Sequence, residues 1–423
     1  MPEIKPFRGI RYNTAKIKNY ADVVCQPYDQ ITDEMEKYYK NRSPNNFVRL
    51  VLTKYAEGHE RQKEYQDAKK FTDQWLNEKI FVQDEKTAIY PYWQEFSAAG
   101  KNYLRKGLMC LVKIEELGKG NILPHEKTLA KPKEDRLSLL RATKKDFEPV
   151  FLLYTDPKNY VNDLLQKACQ GSAMVDVKDD KNVTHKLWRI ADTNLIDQIT
   201  KFLKDVIFVI ADGHHRYETA FTYRNELADI DNNHPANYKL ITLVNIEDAG
   251  LVILPTHRLI KNLKDFNLDS FLKRAQEFFQ IEKTDQNRIT ADLNKAKSQA
   301  FGFYNPQGAY VLKLKSTEPM KKILADRSKE YQGLDVAILH TLLIEKILDI
   351  TPTDIENHVK YERGVEETMK KVDAGEFQFC FLMNPTRAEQ VKQVAQNKER
   401  MPQKSTDFYP KLISGLVFYD IAG

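Results

Sequence analysis

The most regular pattern of apolar and polar residues in the chain predicts a buried strand, a tight turn and a helix. Residues 206–210 form a continuous apolar run, which is typical of a strand covered on both faces. The segment ADGHHRYETA (Ala211–Ala220) follows, and Tyr217 and Phe221 then recur at helical spacing. Because Gly213 stands between the two patterns, the chain is expected to turn there and to begin the helix directly afterwards.

Similar patterns predict strands and helices in both halves of the chain. Aromatic and β-branched residues at near-alternate positions favour strands in TAIYPYWQEF, NYLRKGLMCLVKIEEL and FQFCFLMN. Helical patterns are found over residues 60–77, in LDVAILHTLLIEKIL and in TRAEQVKQVAQNKE. Pro132 suits the first turn of a helix that carries Leu137 and Leu140. The sequence therefore predicts a mixed α/β (α+β) fold.

Length and charge limit the classes to which the protein can belong. A chain of 423 residues exceeds the size at which one hydrophobic core stops growing, so two or three packed units are expected. The formal net charge of +5 is spread over the chain, whereas nucleic-acid binders usually concentrate positive charge on one face. No apolar run reaches about 18 residues, and the N-terminus lacks the apolar region of a signal peptide. We therefore expect a cytoplasmic protein that binds neither nucleic acid nor membrane.

The four cysteines, Cys25, Cys110, Cys169 and Cys380, lie far apart in the sequence and form no C-x-x-C pair. This spacing predicts neither a disulfide framework nor a thiolate zinc site. We expect isolated thiols, most of them buried.

The predicted turn between strand and helix has the chemistry of a phosphate site. The first N–H groups of a helix have no partner within it and carry the positive end of the helix dipole, so Gly213 precedes an electropositive end. Arg216 can donate two hydrogen bonds to phosphate oxygens, and His214 and His215 can donate hydrogen bonds or transfer protons near neutral pH. Asp212 can hold a divalent ion such as Mg²⁺.

The same residues also have a purely structural interpretation, in which Asp212 caps the helix, Gly213 only allows the turn and the histidines are satisfied polar groups. A zinc site is disfavoured because adjacent histidines diverge by about 100° on a helix. In addition, His125-Glu126 is not followed by the second histidine of H-E-x-x-H. The sequence also lacks P-loop, G-x-G-x-x-G and protein-kinase motifs, so any phosphate handling would use another scaffold.

Several segments of the chain resemble known families. ADGHHRYETA resembles the G-x-x-R-x-x-A box of the ParB/sulfiredoxin-like superfamily, and more closely the D-G-H-H-R form of its free-serine kinases. The chain as a whole resembles a prokaryotic family catalogued as domain of unknown function 1015. The segments that carry this second resemblance are QPYD (Gln26–Asp29), NRSPNNFVRL, LPHEKT (Leu123–Thr128), KPKEDR, PTHRLI (Pro255–Ile260) and MPQKSTDFYPK (Met401–Lys411).

The resemblance implies a ParB/sulfiredoxin-like catalytic core over residues 116–264. An N-terminal mixed α/β region, residues 1–115, would precede it, and a C-terminal α/β region, residues 265–423, would complete the cleft. The implied reaction transfers a phosphoryl group from ATP, ADP or pyrophosphate, with Mg²⁺, to the hydroxyl of free L-serine. By analogy Glu126 would take the hydroxyl proton; its structural alternative is a surface ion pair with a neighbouring basic residue.

Further side chains in these segments are candidates for binding phosphate or the amino acid. Asp29 can recognise an ammonium group, and Lys404–Thr406 form a basic and hydroxyl-bearing cluster whose alternative is a solvated loop. His257 alone is more often buried and hydrogen-bonded than catalytic. The predicted binding residues are Gly213, His125, Lys127, Thr128, Asp29, His257, Arg258, Lys404, Ser405 and Thr406, and the predicted catalytic residues are Glu126, Asp212, His214, His215 and Arg216.

Two other functions stay open at the level of sequence. A phosphoserine hydrolase would need the same phosphate site with water as the acceptor. A ParB-like nucleotide-binding or DNA-associated regulator without turnover would need a basic recognition helix, which the near-neutral charge does not favour. The expected partners are small molecules, an amino acid and a phosphate donor, with a homodimer as a further expectation.

Overall fold

The chain forms two compact units. The computed structural model describes residues 2–51, 59–126, 130–228 and 230–422. Unit 1 comprises Met1–Pro124, Thr128–Val252 and Pro410–Gly423, and unit 2 comprises His125–Lys127 and Ile253–Tyr409. The functional division into residues 1–115, 116–264 and 265–423 stays a prediction.

Unit 1 combines strands and helices over its whole length. Its strands are β1 (Ile4–Lys5), β2 (Ile10–Tyr12), β3 (Phe81–Gln83), β4 (Tyr90–Ala98), β5 (Lys101–Lys113), β6 (Ile122–Pro124), β7 (Lys145–Asp146), β8 (Val150–Tyr154), β9 (Val175–Lys178), β10 (Thr184–Leu187), β11 (Phe208–Asp212) and β12 (Tyr238–Asn245). Its α-helices are α1 (Asp33–Arg42), α2 (Val48–Val51), α3 (His59–Asn77), α4 (Ala130–Thr143), α5 (Tyr160–Ala168), α6 (Thr193–Leu203) and α7 (His214–Glu226). Short 3₁₀ turns lie at Tyr20–Asp22, Tyr28–Gln30 and Pro235–Asn237.

The core of unit 1 is a mixed sheet. Among the described residues its strands follow the order β6-β11-β8-β12-β5-β4-β10-β9, and β1 pairs with β5. β11 is parallel to β6 and antiparallel to β8, and β12 is parallel to β8. Phe208, Val209 and Ile210 of β11 are almost fully buried, as the apolar run predicted for a strand covered on both faces.

The strand predicted over residues 206–210 is present but begins later, as Phe208–Asp212. Phe208 is the residue whose amide reaches the carbonyl of Asn121 next to β6, so pairing with β6 begins there. The register of β11 against β8 also shifts directly before Asp212. Such a bulge changes the direction of the following side chain, and it lies immediately before the turn.

Unit 2 is also mixed. The strands from its boundary onward are β13 (Val252–Leu254), β14 (His257–Ile260), β15 (Phe279–Thr284), β16 (Ala300–Asn305), β17 (Gly308–Leu314), β18 (Val359–Glu362), β19 (Phe379–Met383) and β20 (Asp407–Tyr409). The helices are α8 (Leu268–Ala275), α9 (Ile289–Ala296), α10 (Glu318–Ile323), α11 (Lys329–Gln332), α12 (Asp335–Ile338), a π-helix (Leu339–Ile347), α13 (Ile355–His358), α14 (Val365–Asp373) and α15 (Ala388–Gln396). The last strand, β21 (Tyr419–Asp420), pairs with β7 in unit 1.

The sheet of unit 2 is antiparallel, with the order β15-β17-β16-β19-β14-β18 among the described residues. Phenylalanines line its core. The rings of Phe271 and Phe303 stack with centroids 4.7 Å apart, and Phe379 lies 5.2 Å from Phe303. These contacts join α8 to two neighbouring strands.

The helix predicted in LDVAILHTLLIEKIL is present, but its second part is a π-helix. Leu342, Leu343 and Ile344 are completely buried at consecutive positions. Burial at three successive positions departs from the 3.6-residue repeat on which the prediction of a regular α-helix rested, although Glu345 and Lys346 of the same helix are exposed.

Two further expectations have clear outcomes. The mixed α/β fold is confirmed, because both units combine sheets with helices. All four cysteines are buried free thiols, as predicted. Within the described ranges, no helix has both the length and the apolar content of a membrane span.

Candidate active site

The turn at Gly213 fixes the geometry of the candidate site in unit 1. β11 ends at Asp212, Gly213 has φ +90°, and α7 begins at His214. A side chain is disfavoured at Gly213 both by this left-handed backbone and by crowding, because a Cβ atom would lie 3.0 Å from Nε of Arg216. The strand-turn-helix predicted from the sequence is therefore confirmed, with the N-terminus of a 13-residue helix next to Asp212.

Arg216 is buried and connects the turn to the neighbouring strand. Its Nη2 donates to Oδ2 of Asp212 at 3.1 Å, and its Nη1 donates to the carbonyl of Pro149 at 2.6 Å. Burial lowers the pKa of Arg216, but the carboxylates of Glu148 and Asp212 outweigh this effect and raise it. The guanidinium therefore stays charged and compensates carboxylates in its surroundings.

Asp212 is the ionised carboxylate of the site. Burial acts to raise its pKa, but the positive charges of Lys411 and then Arg216 lower that pKa to about 2. Lys411 Nζ lies 3.9 Å from Oδ1 of Asp212. Asp212 thus carries a full negative charge at neutral pH between two cations.

Asp29 is a second carboxyl group near Asp212, and its pKa moves in the opposite direction. Although the residue is exposed to solvent, the protein atoms around the carboxyl group and then the charge of Asp212 raise the pKa of Asp29. Neighbouring carboxyl groups with pKa values pushed apart are the usual arrangement for separate acid-base and charge-stabilising roles. Asp29 is thereby brought together with the predicted turn.

Glu148 ties the segments of the site together. Its Oε1 accepts hydrogen bonds from the amide of Tyr28 at 3.2 Å and from Oγ of Ser414 at 2.7 Å. It therefore joins the QPYD segment, the start of β8 and the C-terminal segment, Pro410–Gly423. Glu148 and Lys411 were not among the predicted site residues. Two features of the sequence could have indicated them: Lys411 is the last residue of the family segment MPQKSTDFYPK, and Glu148 stands at the start of the apolar segment EPVFLLY.

The two histidines occupy the first turn of α7. His214 is buried and His215 is partly buried. Burial lowers the pKa of His215, although the nearby carboxylate of Glu218 partly opposes this effect. His215 is therefore neutral at neutral pH, and it can donate or accept one hydrogen bond without adding charge.

Several predicted binding residues lie in unit 2, where they contact one another. Nε2 of His125 lies 2.9 Å from Oγ1 of Thr406 and 3.6 Å from Oε1 of Glu126. The carbonyl of His125 accepts a hydrogen bond from the amide of Met401 at 2.7 Å. Oγ of the buried Ser405 donates within the same loop, to the carbonyl of Pro402. Lys127 and Thr128 lie outside the described residues.

Arg258 and His257 are buried in the same unit and contact mainly backbone. Arg258 donates to the carbonyls of Thr256 and Lys404, the latter at 3.0 Å. Nδ1 of His257 accepts from the amide of Met383 at 3.1 Å, and burial lowers the pKa of His257 to about 4. The side chain of Lys404 is exposed. The roles of these residues in binding a substrate, and that of Glu126 as a base, stay predictions.

The sequence match to a known family covers most of this chain. A family described as "Protein of unknown function (DUF1015)" matches residues 4–337, a range that contains Asp29, Glu148, Asp212 and Arg216. The chain belongs to this family. The DUF1015 match confirms the family resemblance expected from the sequence.

The DUF1015 chain was also compared with curated proteins and with solved structures. No curated protein matches it. It is similar to the solved structure of a conserved hypothetical protein from Pyrococcus furiosus, with 12% identity over 71% of this chain and 92% of that one, and a TM-score of 0.35. It is also similar to a free serine kinase in complex with AMP, with 12% identity, 73% and 97% coverage and a TM-score of 0.34. C-terminally truncated SbnI from Staphylococcus aureus gives 11% identity, 73% and 86% coverage and a TM-score of 0.36.

Proposed function

We propose that this DUF1015 chain is a phosphotransferase that moves a phosphoryl group from ATP, ADP or pyrophosphate to the hydroxyl group of free L-serine. The observation that carries the proposal is the convergence of Asp212, Arg216 and Lys411 at the N-terminus of α7. This arrangement offers positive charge and backbone N–H groups to a phosphoryl donor, with one ionised carboxylate among them. The choice of serine rests on the resemblance of the D-G-H-H-R box to free-serine kinases.

In this proposal the donor phosphates bind at the first turn of α7. The N–H groups at the start of the helix point toward them, and the ammonium group of Lys411 and the ring of His215 contribute further donors. Because phosphoryl transfer depends chiefly on positioning and on neutralising charge, such a set of fixed donors is the main requirement.

Asp212 is the proposed ligand of Mg²⁺. Magnesium usually takes one or two protein carboxylates and completes its shell with water and phosphate oxygens. The described residues contain no group of three or more His, Cys, Asp or Glu side chains that could hold a metal ion. In this proposal Asp212 would supply one carboxylate to a magnesium ion that arrives with the donor phosphates, and the bound ion would neutralise charge on the transferred group.

Two carboxyl groups are candidates for the base that takes the serine proton. Glu126 is the candidate from the resemblance to the superfamily. Asp29 is the candidate from unit 1, because its raised pKa brings it closer to neutral pH than an ordinary aspartate while Asp212 stays ionised. Replacing each carboxylate by its amide, as Glu126→Gln and Asp29→Asn, distinguishes them: loss of the base lowers kcat by about 10²–10⁴-fold.

Phosphorus NMR tests the reaction directly. The protein is incubated with Mg²⁺, L-serine and, in separate samples, ATP, ADP or pyrophosphate. We expect phosphoserine with at least one donor, and its loss in Asp212→Asn. Glu226→Gln is the matched control, because Glu226 lies on the exposed end of the same helix in an ion pair with Arg141.

The same samples separate the competing functions. Absence of phosphoserine with all three donors contradicts the proposal. Release of phosphate from added phosphoserine without any donor supports a hydrolase instead. Nucleotide binding without turnover, together with salt-sensitive affinity for DNA, supports the regulator.

A further inference from the structure

A network of buried polar side chains crosses the sheet of unit 1, and no step of the proposed reaction uses it. Its members are almost fully buried although they occupy β4, β5, β10 and the loops beside them. They are Gln26, Tyr92, Gln94, Arg105, Asp179 and His185.

One end of the network holds the C-terminal segment. Nε2 of Gln94 donates to the carbonyl of Lys411 at 2.9 Å, and Arg105 donates to the carbonyl of Pro410. Gln94 and Arg105 are directly paired across β4 and β5, and Oε1 of Gln94 accepts from Nε of Arg105 at 3.1 Å. Two successive carbonyls are thus held by two side chains that also hold each other.

The other end reaches the QPYD segment. Nε2 of Gln26 donates to Oδ2 of Asp179 at 2.8 Å, and Nε2 of His185 lies 3.2 Å from the same oxygen. Nδ1 of His185 lies 2.7 Å from Oη of Tyr92, which also accepts from the amide of Ile413 at 3.5 Å. The network therefore connects the segment that carries Asp29 with the segment that carries Lys411.

Burying so many polar side chains lowers the stability of the fold unless their hydrogen bonds have a role. Polar groups at such positions lose their hydration and need complete hydrogen bonding, whereas apolar side chains would fill the same sheet positions without this cost. Arg105 shows the cost most clearly, since burial lowers its pKa to about 10 and still leaves it charged at neutral pH. Its guanidinium lies 4.9 Å from the centre of the Phe151 ring and donates to Gln94 and Pro410.

We infer that Gln94 and Arg105, supported by Tyr92 and His185, are positioning residues that hold Lys411 against Asp212. The inference deepens the proposed function, because Lys411 belongs to the same site. Its test includes a measurement that requires no turnover, so that a failure of the proposed function and a failure of this inference give different results.

Amide hydrogen exchange provides that measurement. Tyr92→Phe removes the hydroxyl that accepts from Ile413, and Gln94→Leu removes the side chain that donates to the carbonyl of Lys411. We expect exchange at the amides of residues 411–413 to accelerate by about fivefold or more in each variant, because each loses a buried hydrogen bond. Thr242→Val is the matched control: Thr242 is buried in the neighbouring strand β12, and its replacement should leave these amides unchanged.

A double-mutant cycle links the network to the site. Lys411→Met and Gln94→Leu should each lower kcat for phosphoserine formation by about 10²-fold, since a small displacement of a catalytic group has an effect of this size. The double variant should be no slower than Lys411→Met alone, because a displaced lysine and a missing lysine are equivalent. The donor KM should change less than kcat.

Several outcomes decide the inference. Unchanged exchange at residues 411–413 in Tyr92→Phe, the mildest variant, would overturn it, as would effects of Gln94→Leu and Lys411→Met that multiply. Fast exchange throughout the chain in Gln94→Leu would leave the decision to Tyr92→Phe. If the protein makes no phosphoserine, the proposed function fails, while the exchange data still decide whether the network holds Lys411.

Discussion

Arg216 in unit 1 and Arg258 in unit 2 are both buried, but carboxylates surround the first guanidinium whereas backbone carbonyls accept from the second. Arg216 donates to Asp212 and is surrounded by further carboxylates, which raise its pKa. Arg258 donates to backbone carbonyls, and burial lowers its pKa to about 10. Arg216 compensates the negative charges of nearby carboxylates, whereas Arg258 holds the backbone of the loop that contains Lys404. Residue type alone therefore does not separate a charged site from a structural anchor.

Neutralising Asp212 should have the largest effect on activity. In Asp212→Asn the proposed magnesium ligand and the counter-charge of Arg216 and Lys411 are both lost, so we expect phosphoserine formation to fall by about 10³-fold. The NMR assay with Glu226→Gln as the control measures this change. Activity within tenfold of the unchanged protein would mean that the reacting phosphate lies elsewhere.

The two arginines should differ in stability when each is replaced by methionine. Arg216→Met leaves neighbouring carboxylates without their buried cation and should cost about 3–5 kcal/mol of unfolding free energy. Arg258→Met leaves two carbonyls without donors but also removes a buried charge, so about 1–3 kcal/mol is expected. Urea denaturation measures both values. Equal losses would mean that the different surroundings of the two arginines do not change their contributions to stability.

The pH dependence of activity tests Asp29 as the base. A base is active when ionised, so activity is present above the raised pKa of Asp29 and is lost as the pH falls through it. Glu148 also raises this pKa through its negative charge. Glu148→Gln should therefore lower the pKa of Asp29 and move the acidic limb of kcat/KM to lower pH. A limb that stays in place in Glu148→Gln favours Glu126 instead.

The smallest effect is expected for Lys404→Met in unit 2. The side chain is exposed, and Arg258 contacts only the carbonyl of this residue. Stability should change by less than about 0.5 kcal/mol. If the ammonium group attracts the donor, the donor KM rises a few-fold while kcat is unchanged. A large loss of kcat would give the loop of unit 2 a direct part in the chemistry.

Local patterns allowed the prediction of the turn but not of its surroundings. The apolar run, Gly213 and the helical repeat are adjacent in the sequence, so the strand-turn-helix and the place of Asp212 and Arg216 could be read from them. Glu148 and Lys411 reach the site only through the pairing of distant strands and the return of the C-terminal segment. No local periodicity relates such positions.

Local patterns also could not predict the π-helix or the contacts of the Lys404–Thr406 loop in unit 2. An apolar repeat predicts a helix, but it does not distinguish the π-helix of Leu339–Ile347 from a regular α-helix. Lys404, Ser405 and Thr406 look like a phosphate-binding composition, yet a sequence cannot show that Arg258 holds the backbone of this loop. Hydrogen bonds to carbonyls depend little on the identity of the residue that supplies the carbonyl, and they leave no signal in its side chain.

The position of Pro410–Gly423 in unit 1 has a consequence for biosynthesis. The hydrogen bond between Glu148 and Ser414 joins residues 266 positions apart, and the residues between them include most of unit 2. A nascent chain can form the turn at Gly213 early, but it acquires Lys411 only after residues 253–409 of unit 2 have been synthesised. Contacts of such long range also form late and slowly in folding. A chain that stopped before Lys411 would thus present Asp212 and Arg216 at the turn without their second neighbouring cation.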